Sequence, residues 1–373
     1  MPPINILIKP ASSACNLACG YCFYKDVAAH REQAFEGMLS MELMERVIES
    51  GINYAEYSCS FIFQGGEPTL AGLDFYRKVL EIQKKHRKPG ITIYNAIQTN
   101  GTLINDEWAQ FLAENHFLVG LSLDGPADIH NLNRIDPLSR STFNSVMRAV
   151  KLFRKYQTAF NILCVLTHRN ARSIEKIFRF YQKEDFRWLQ FIPCLDPFDA
   201  PEQKPNYSLT CDDYAFFLVK IFDLWFREYR KGNYYSIRHL DNWLAMILGE
   251  PPESCDMTGQ CSIQYVIEGN GSVYPCDFYV LDQWNLGTVG PQTFQEMKNS
   301  PTAREFLSGS KAIPDECRIC RWYPLCRCGC RRERDENGRY IYCEAVRQFF
   351  DARGDQMRQA AMMVDRERRQ NGL

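Results

Sequence analysis

The 373-residue sequence contains no apolar run approaching the length of a membrane span. A bilayer-crossing helix needs about twenty consecutive apolar residues. Net charge is also nearly absent: 44 Lys and Arg stand against 45 Asp and Glu, a balance of −1. That excludes a global pull toward nucleic acid or an anionic membrane surface. The opening Met-Pro-Pro-Ile-Asn has no charged n-region and no cleavage site, so a cytoplasmic protein without a signal peptide is expected. Repeats of solenoid period and low-complexity tracts are missing too. What the chain does have is 45% hydrophobic and 13% aromatic residues, enough for one large domain and a smaller one. It also has sixteen cysteines. In a chain with no export signal they point to metal ligation in a reducing cytoplasm rather than to a disulfide framework.

Three of them are crowded together: Cys15, Cys19 and Cys22 in Cys-Asn-Leu-Ala-Cys-Gly-Tyr-Cys. They follow a short apolar strand, Ile4–Lys9, and open a loop. A C-x3-C-x2-C triplet gives three thiolates to a four-iron cube, which ordinarily takes four. The fourth iron is then open, and an open site on a reducing cluster is where chemistry can occur. Structural zinc is the alternative, but zinc closes a tetrahedron with paired Cys or His. Only His30, in a polar stretch, follows within thirty residues. With Tyr21 directly before the third Cys, the chain resembles the radical S-adenosylmethionine (SAM) superfamily. The resemblance implies that Cys15, Cys19 and Cys22 bind a [4Fe–4S] cluster whose open iron is chelated by SAM. Reductive cleavage of SAM would then give methionine and a hydrogen-abstracting 5′-deoxyadenosyl radical. Such clusters are threatened by oxygen, so an anaerobic host is expected.

Strand-like runs lie at Ile4–Lys9, Ser60–Gln64, Ile91–Gln98, Phe117–Leu123, Phe160–Thr167 and Trp188–Leu195. Helical spacing marks Ser40–Tyr54, Leu73–His86, Asp106–Asn115, Ser141–Tyr156 and Ser173–Lys183 between them. Six β/α alternations with short connections predict an α/β fold with a parallel sheet, curled by right-handed crossovers into an open, partial (β/α)6 barrel. The resemblance implies the same radical SAM barrel. Helices are expected next at Asp212–Lys231 and Ile237–Leu248. From Pro251 onward cysteines become dense and periodicity fades, as in a small domain organised by metal sites. Counting the helix that leads into it, the division is 1–235, 236–343 and a helical tail, 344–373, with a frayed end.

Functional loops of such sheets follow the strand C-terminal ends. Gly65-Gly66-Glu67-Pro68 follows strand two. Glycines allow close approach of a ligand, and a carboxylate accepts from an ammonium group; alone, the run is a turn. Downstream of the triplet it matches the superfamily's GGE motif, which implies contact between Gly65, Gly66, Glu67 and the SAM amino group, with Gln64 lining the same mouth. Ser122 and Asp124 end strand four. They read either as an Asx turn before Gly125-Pro126 or, by the resemblance, as contacts to SAM polar groups. Arg134 is either a solvated Arg or a partner of the SAM carboxylate. Leu195 is either core packing or an apolar wall for adenine.

Two further cysteine sets stand out: Cys255 and Cys261-x9-Gly271-x4-Cys276, then Cys317-x2-Cys320-x5-Cys326-x3-Cys330 and Cys343. Eight thiolates suffice for two fully ligated four-iron clusters, although Cys317-x2-Cys320 alone would suit zinc. The pattern matches the SPASM domain. That resemblance implies one auxiliary cluster on Cys255, Cys261, Cys276 and Cys330 and another on Cys317, Cys320, Cys326 and Cys343. With the first site this makes three [4Fe–4S] clusters. Closed ligation favours electron transfer over substrate binding. Cys164 and Cys194 read as small buried hydrophobes, Cys59 precedes a strand and Cys211 begins a helix. Cys328, between two expected ligands, stays open as a substitute for one of them.

The chain most resembles the anaerobic sulfatase-maturating enzymes. The carriers include Ile8-Lys9-Pro10-Ala11-Ser12-Ser13, Cys22-Phe23-Tyr24, the run from Phe63 to Gly72, Gln98-Thr99-Asn100-Gly101-Thr102, Ile129-His130-Asn131-Leu132-Asn133-Arg134 and the run from Gly271 to Leu281. The resemblance implies radical SAM oxidation of a sulfatase Cys or Ser to Cα-formylglycine. A Cβ hydrogen is abstracted, a base takes the thiol or hydroxyl proton, and an auxiliary cluster carries off the second electron. Asp277, directly after a ligand, is the candidate base; local backbone bonding is its bland reading. Tyr24 and Gln64 frame the peptide. The expected partners are an unfolded or nascent sulfatase segment and an electron donor such as flavodoxin or ferredoxin, with no nucleic acid and no membrane. The alternative is a SPASM maturase that forms a thioether or C–C crosslink in a ribosomal peptide. Many such enzymes carry an N-terminal recognition domain, for which a barrel starting at residue 4 leaves no room.

Overall fold

Phe61 and Phe63 alternate with more exposed neighbours along one short run, and that period of two makes it a strand. The computed structural model describes residues 3–200 and 204–370. In it the strands are β1 (Ile4–Ile8), β2 (Ser58–Phe63), β3 (Thr92–Thr99), β4 (Leu118–Ser122), β5 (Phe160–Leu166), β6 (Trp188–Pro193), β7 (Ser236–Ile237), β8 (Val266–Ile267), β9 (Ser272–Tyr274) and β10 (Gly287–Thr288). Each of the six expected strands is found within two residues of its expected ends. The expected helices are found equally closely, from Met41–Tyr54 to Arg238–Ile247. The tail is one helix, Cys343–Gln370; residues 371–373, where fraying was expected, lie outside the described residues.

Two compact units form. The first joins Met1–Leu123, His130–Asn161 and Ser262–Leu307. Its strands β1, β2, β3 and β4 are parallel neighbours in that order, with Ile6 opposite Phe61 and Phe61 opposite Asn95. On the other side of β1, Leu7 and Ile8 pair in parallel with Val266 and Ile267 of β8. Strands β9 and β10 then extend the edge antiparallel. Two- and three-residue strands carry too little alternation to be read from sequence, so residues 262–307 gave no expected strand. Helix Met41–Tyr54 starts where the Ser40 hydroxyl accepts the Leu43 N–H. Its core face includes Met44, Val47, Ile48 and Ile52. Phe63, Tyr76, Trp108 and Phe117 form an edge-to-face aromatic cluster behind the sheet.

The second unit joins Asp124–Ile129, Ile162–Cys261 and Ser308–Leu373. Here β5, β6 and β7 are parallel, with Cys164 opposite Phe191 and Leu189 opposite Ile237. Cys164 and Cys194 are buried, as expected. Helix Cys211–Tyr229 opens with a reciprocal capping box between Thr210 and Asp213. Phe222 on this helix meets Phe349 of the tail helix edge-on at 5.7 Å, and Trp243 stacks on Phe349 at 5.0 Å. The tail is therefore part of this core.

Candidate active site

The cysteine triplet lies in the loop after β1, held on three sides by the first unit. Ala18 and Gly20 N–H groups donate to the Ile135 and Asn133 carbonyls at 2.8 and 3.0 Å. Asn16 donates to Thr102 at 2.8 Å and accepts from Asn100 at 2.8 Å. The Glu67 N–H donates to the Ala14 carbonyl at 2.8 Å. The Cys15 sulfur receives the Leu17 N–H at 3.4 Å and the Asn100 amide at 3.9 Å. N–H donors on sulfur are what an iron-bound thiolate uses. Cys19 and Cys22 lie near enough to act on Cys15 electrostatically. The donor set therefore fits an iron–sulfur cluster.

The two glycines after β2 have a packing reason. A Cβ on Gly66 (φ +53°) would stand 2.1 Å from the Ala14 carbonyl oxygen, and one on Gly65 (φ +91°) would meet the Lys9 side chain at 2.5 Å. The loop needs glycine to lie against the start of the cysteine loop. Glu67 is buried, and its carboxylate is occupied. It accepts from the Thr69 N–H at 3.1 Å, the Thr69 and Thr99 hydroxyls at 2.6 and 2.7 Å, and the Asn100 N–H at 2.7 Å. Burial pushes the Glu67 carboxyl above its ordinary range, and these donors pull against that. Its side chain clamps the loop after β2 to the loop after β3.

Asp277 begins a short 3₁₀ turn, Asp277–Tyr279, directly after Cys276. It is 5% exposed. Its Oδ2 accepts from the Tyr24 hydroxyl at 2.6 Å and from Gln64 Nε2 at 2.8 Å, and Gln64 also donates to the Tyr24 oxygen at 2.8 Å. Its Oδ1 is buried without a hydrogen-bond partner. Burial pushes the carboxyl above the ordinary Asp range, while the positive charge of Lys9 and the bonds from Tyr24 and Gln64 oppose that. Lys9, at the end of β1, is 2% exposed. It lies over the Tyr24 ring at 5.3 Å and pairs with Glu268, which also receives Arg31 at 2.8 Å. Arg31 goes on to Glu36 at 2.9 Å. Burial acts against Glu268 as a charged group, yet Lys9 and Arg31 hold it below the ordinary Glu range.

The first unit thus brings together Cys15, Cys19, Cys22, Tyr21, Tyr24, Gln64, Gly65, Gly66, Glu67 and Asp277. Ser122 ends β4 and is buried. Arg134 is buried rather than solvated, its guanidinium over the Tyr21 ring at 5.5 Å. In the second unit Asp124 is buried and accepts the Val165 N–H at 3.1 Å, which ties it to β5. Leu195 follows β6 and is half-buried. Lys9, Arg31, Glu268, Thr99 and Asn100 were not singled out from the sequence as site residues. The available signals were a lysine closing an otherwise apolar strand and the run Thr99-Asn100-Gly101 at the end of strand three.

The second unit also gathers a cysteine set. Cys317 acts on Cys326 electrostatically, Cys343 acts on both, and Cys320 acts on Cys343. Arg334 fixes the loops beside them by donating to five backbone carbonyls. These are Cys328 and Gly329 at 2.9 and 3.1 Å, Ser310 and Ala312 at 2.8 and 3.3 Å, and Gly259 at 3.2 Å. A planar five-donor fork suits that task. Cys255, Cys261 and Cys330 belong to this unit and Cys276 to the first. Among the described residues no two cysteines are joined by a disulfide.

Residues 10–181 match the radical SAM superfamily, and residues 255–321 match the SPASM iron–sulfur cluster-binding domain. The cysteine-type anaerobic sulfatase-maturating enzyme of Clostridium perfringens (strain 13) is 48% identical over 356 residues, covering 94% of this chain and 96% of that one. The chain belongs to the anaerobic sulfatase-maturating enzymes. Its fold is accordingly the α/β radical SAM fold with a SPASM domain, and it is a radical SAM oxidoreductase that uses SAM and [4Fe–4S] clusters. The serine-type member of this family from Bacteroides thetaiotaomicron is 32% identical over 370 residues, covering 93% of this chain and 89% of that one. The solved structure of native anSMEcpe with bound AdoMet and Cp18Cys peptide superposes with a TM-score of 0.93. It is 46% identical and covers 97% of this chain and 100% of that one. These likenesses favour sulfatase maturation over the peptide-crosslinking alternative.

Proposed function

We propose that this chain oxidises the active-site cysteine of an unfolded or nascent sulfatase segment to Cα-formylglycine, with Asp277 as the base. The observation that carries this reading is the buried Asp277 carboxylate: one oxygen is held by Tyr24 and Gln64, and the other is left without a partner. A buried acceptor with no donor is costly unless something supplies one, and a substrate thiol is such a donor. Identity of 48% to a cysteine-type relative against 32% to a serine-type one supports Cys as the preferred target.

Cys15, Cys19 and Cys22 would hold the SAM-binding cluster. Tyr21, Gln64, Gly65, Gly66, Glu67, Ser122, Asp124, Arg134 and Leu195 would frame SAM. Given its saturated carboxylate, Glu67 would do so through the loop it clamps. Cys255, Cys261, Cys276 and Cys330 would hold one auxiliary cluster, and Cys317, Cys320, Cys326 and Cys343 the other, within a SPASM domain spanning 236–343. Bound SAM and the clusters supply the hydrogen-abstracting radical and an acceptor for the second electron. The chain's own residues do the rest. Tyr24 and Gln64 orient Asp277, and Asp277 Oδ1 takes the thiol proton as the Cβ hydrogen and one electron leave. The resulting thioaldehyde is hydrolysed to the aldehyde with release of sulfide. The electron donor would be of the flavodoxin or ferredoxin type. Sixteen cysteines, eleven of them assigned to clusters, support a cytoplasmic location. No described helix is long and apolar enough to cross a membrane.

The test is anaerobic reconstitution with SAM, a reductant and a peptide containing Cys-x-Pro-x-Arg, read by mass spectrometry with a hydrazine trap. A trapped aldehyde at the cysteine is expected. Deoxyadenosine without modified peptide would overturn the substrate assignment.

A further inference from the structure

Cys328 is 1% exposed, deeper than any of the four cysteines around it. Its backbone N–H donates to the Cys326 sulfur. Its thiol is in hydrogen-bond contact with Cys317 and lies 3.4 Å from the Gly338 carbonyl oxygen. One residue therefore touches the sulfurs of two expected ligands, by main chain and by side chain. The backbone that places it there is unusual. Arg327, Cys328 and Gly329 all have positive φ, 50°, 67° and 56°. Glycine takes that conformation freely, whereas a residue with a Cβ is strained in it. Arg334 fixes the segment by holding the carbonyls of Cys328 and Gly329.

We propose that Cys328 is a reserve ligand of the auxiliary cluster assigned to Cys317, Cys320, Cys326 and Cys343, positioned to replace Cys317. This rests on that assignment. In such an exchange Cys328 would give its thiol proton to the departing Cys317 thiolate, with no change in electron count. Hydrogen bonds on ligand sulfur tune such centres, so a thiol already beside Cys317 also adjusts the loaded cluster.

The test measures iron and sulfide per chain, and the electron paramagnetic resonance of the reduced clusters, in the reconstituted full-length protein. C317A and C328G are each expected to keep the wild-type iron content. The double variant C317A/C328G is expected to lose about four iron atoms. Glycine at 328 suits the positive φ, so folding survives that change. Loss of four iron atoms in C317A alone overturns the proposal, and so does full iron in the double variant. C320A separates the two levels: its loss of four iron atoms upholds the cluster assignment, and its retention of all iron overturns that assignment and the proposal with it.

Discussion

The proposed base, Asp277, is held by side chains from two elements. Its Oδ2 is fixed from the first turn of the helix after the triplet and from the end of β2, and its Oδ1 is free to accept. Asp277→Asn is therefore expected to lower aldehyde formation by about 10²- to 10⁴-fold, the usual worth of a positioned base. Deoxyadenosine release should continue, and quantifying both products in one reaction checks this. Tyr24→Phe removes one charge-assisted hydrogen bond, worth about 1.5–3 kcal/mol. It should give a loss of about 10- to 100-fold by the same assay. Lys9 acts on stability as well. Lys9→Met leaves Glu268 with one partner fewer in a buried network. Breaking such a pair costs about 3–5 kcal/mol, read as a lowered unfolding midpoint under anaerobic denaturation.

At the scale of elements, the loop after β2 and the triplet loop form one object. Gly66→Ala places a methyl group against the Ala14 carbonyl. It is expected to cost the protein about four iron atoms per chain, measured by metal analysis, while the auxiliary-cluster signals persist. Helix Cys211–Tyr229 offers a pH test. Burial would raise Asp213, but bonds from Thr210, His168 and Arg172 outweigh it and bring the carboxyl down to about 2. A depressed carboxylate stabilises the fold above its unfolded value near 3.8 and stops doing so as pH falls toward 2. Asp213→Asn should thus cost about 1 kcal/mol at neutral pH and progressively less below pH 4, as thermal unfolding across that range would show. The helices and six long strands were legible because apolar spacing and turn residues mark them, as with Phe61 and Phe63 in β2 or Thr210 before its helix. The cysteine spacings and the Asp277 position were legible for the same reason: local chemistry at fixed intervals. Lys9 with Glu268 was not, because nothing local to either residue announces a partner 259 positions away. Nor was the occupied state of Glu67, which depends on Thr99 and Asn100 arriving from the next strand.

Across the whole molecule, metal and hydrophobic core share the work unequally. The parallel strands of the first unit are framed by buried aromatic and aliphatic side chains. The 255–343 stretch has short helices and turns joined by Arg334 and thiols. Ligand binding there is folding free energy. Anaerobic chelation of iron should therefore speed proteolytic cutting within 255–343 well before it affects β1–β4, an order that timed mass spectrometry of the fragments would reveal. The partnership of β1 with β8 adds a constraint of another kind, one that operates during synthesis. Ile8 leaves the ribosome long before Ile267, its neighbour in the sheet. At roughly 5–20 residues per second, the interval is on the order of ten seconds or more. For that time the nascent chain exposes Cys15, Cys19 and Cys22 in the loop after a strand whose edge is unfilled and whose Lys9 has no Glu268. Iron delivered to the nascent triplet would find its three thiolates before Asp277 exists.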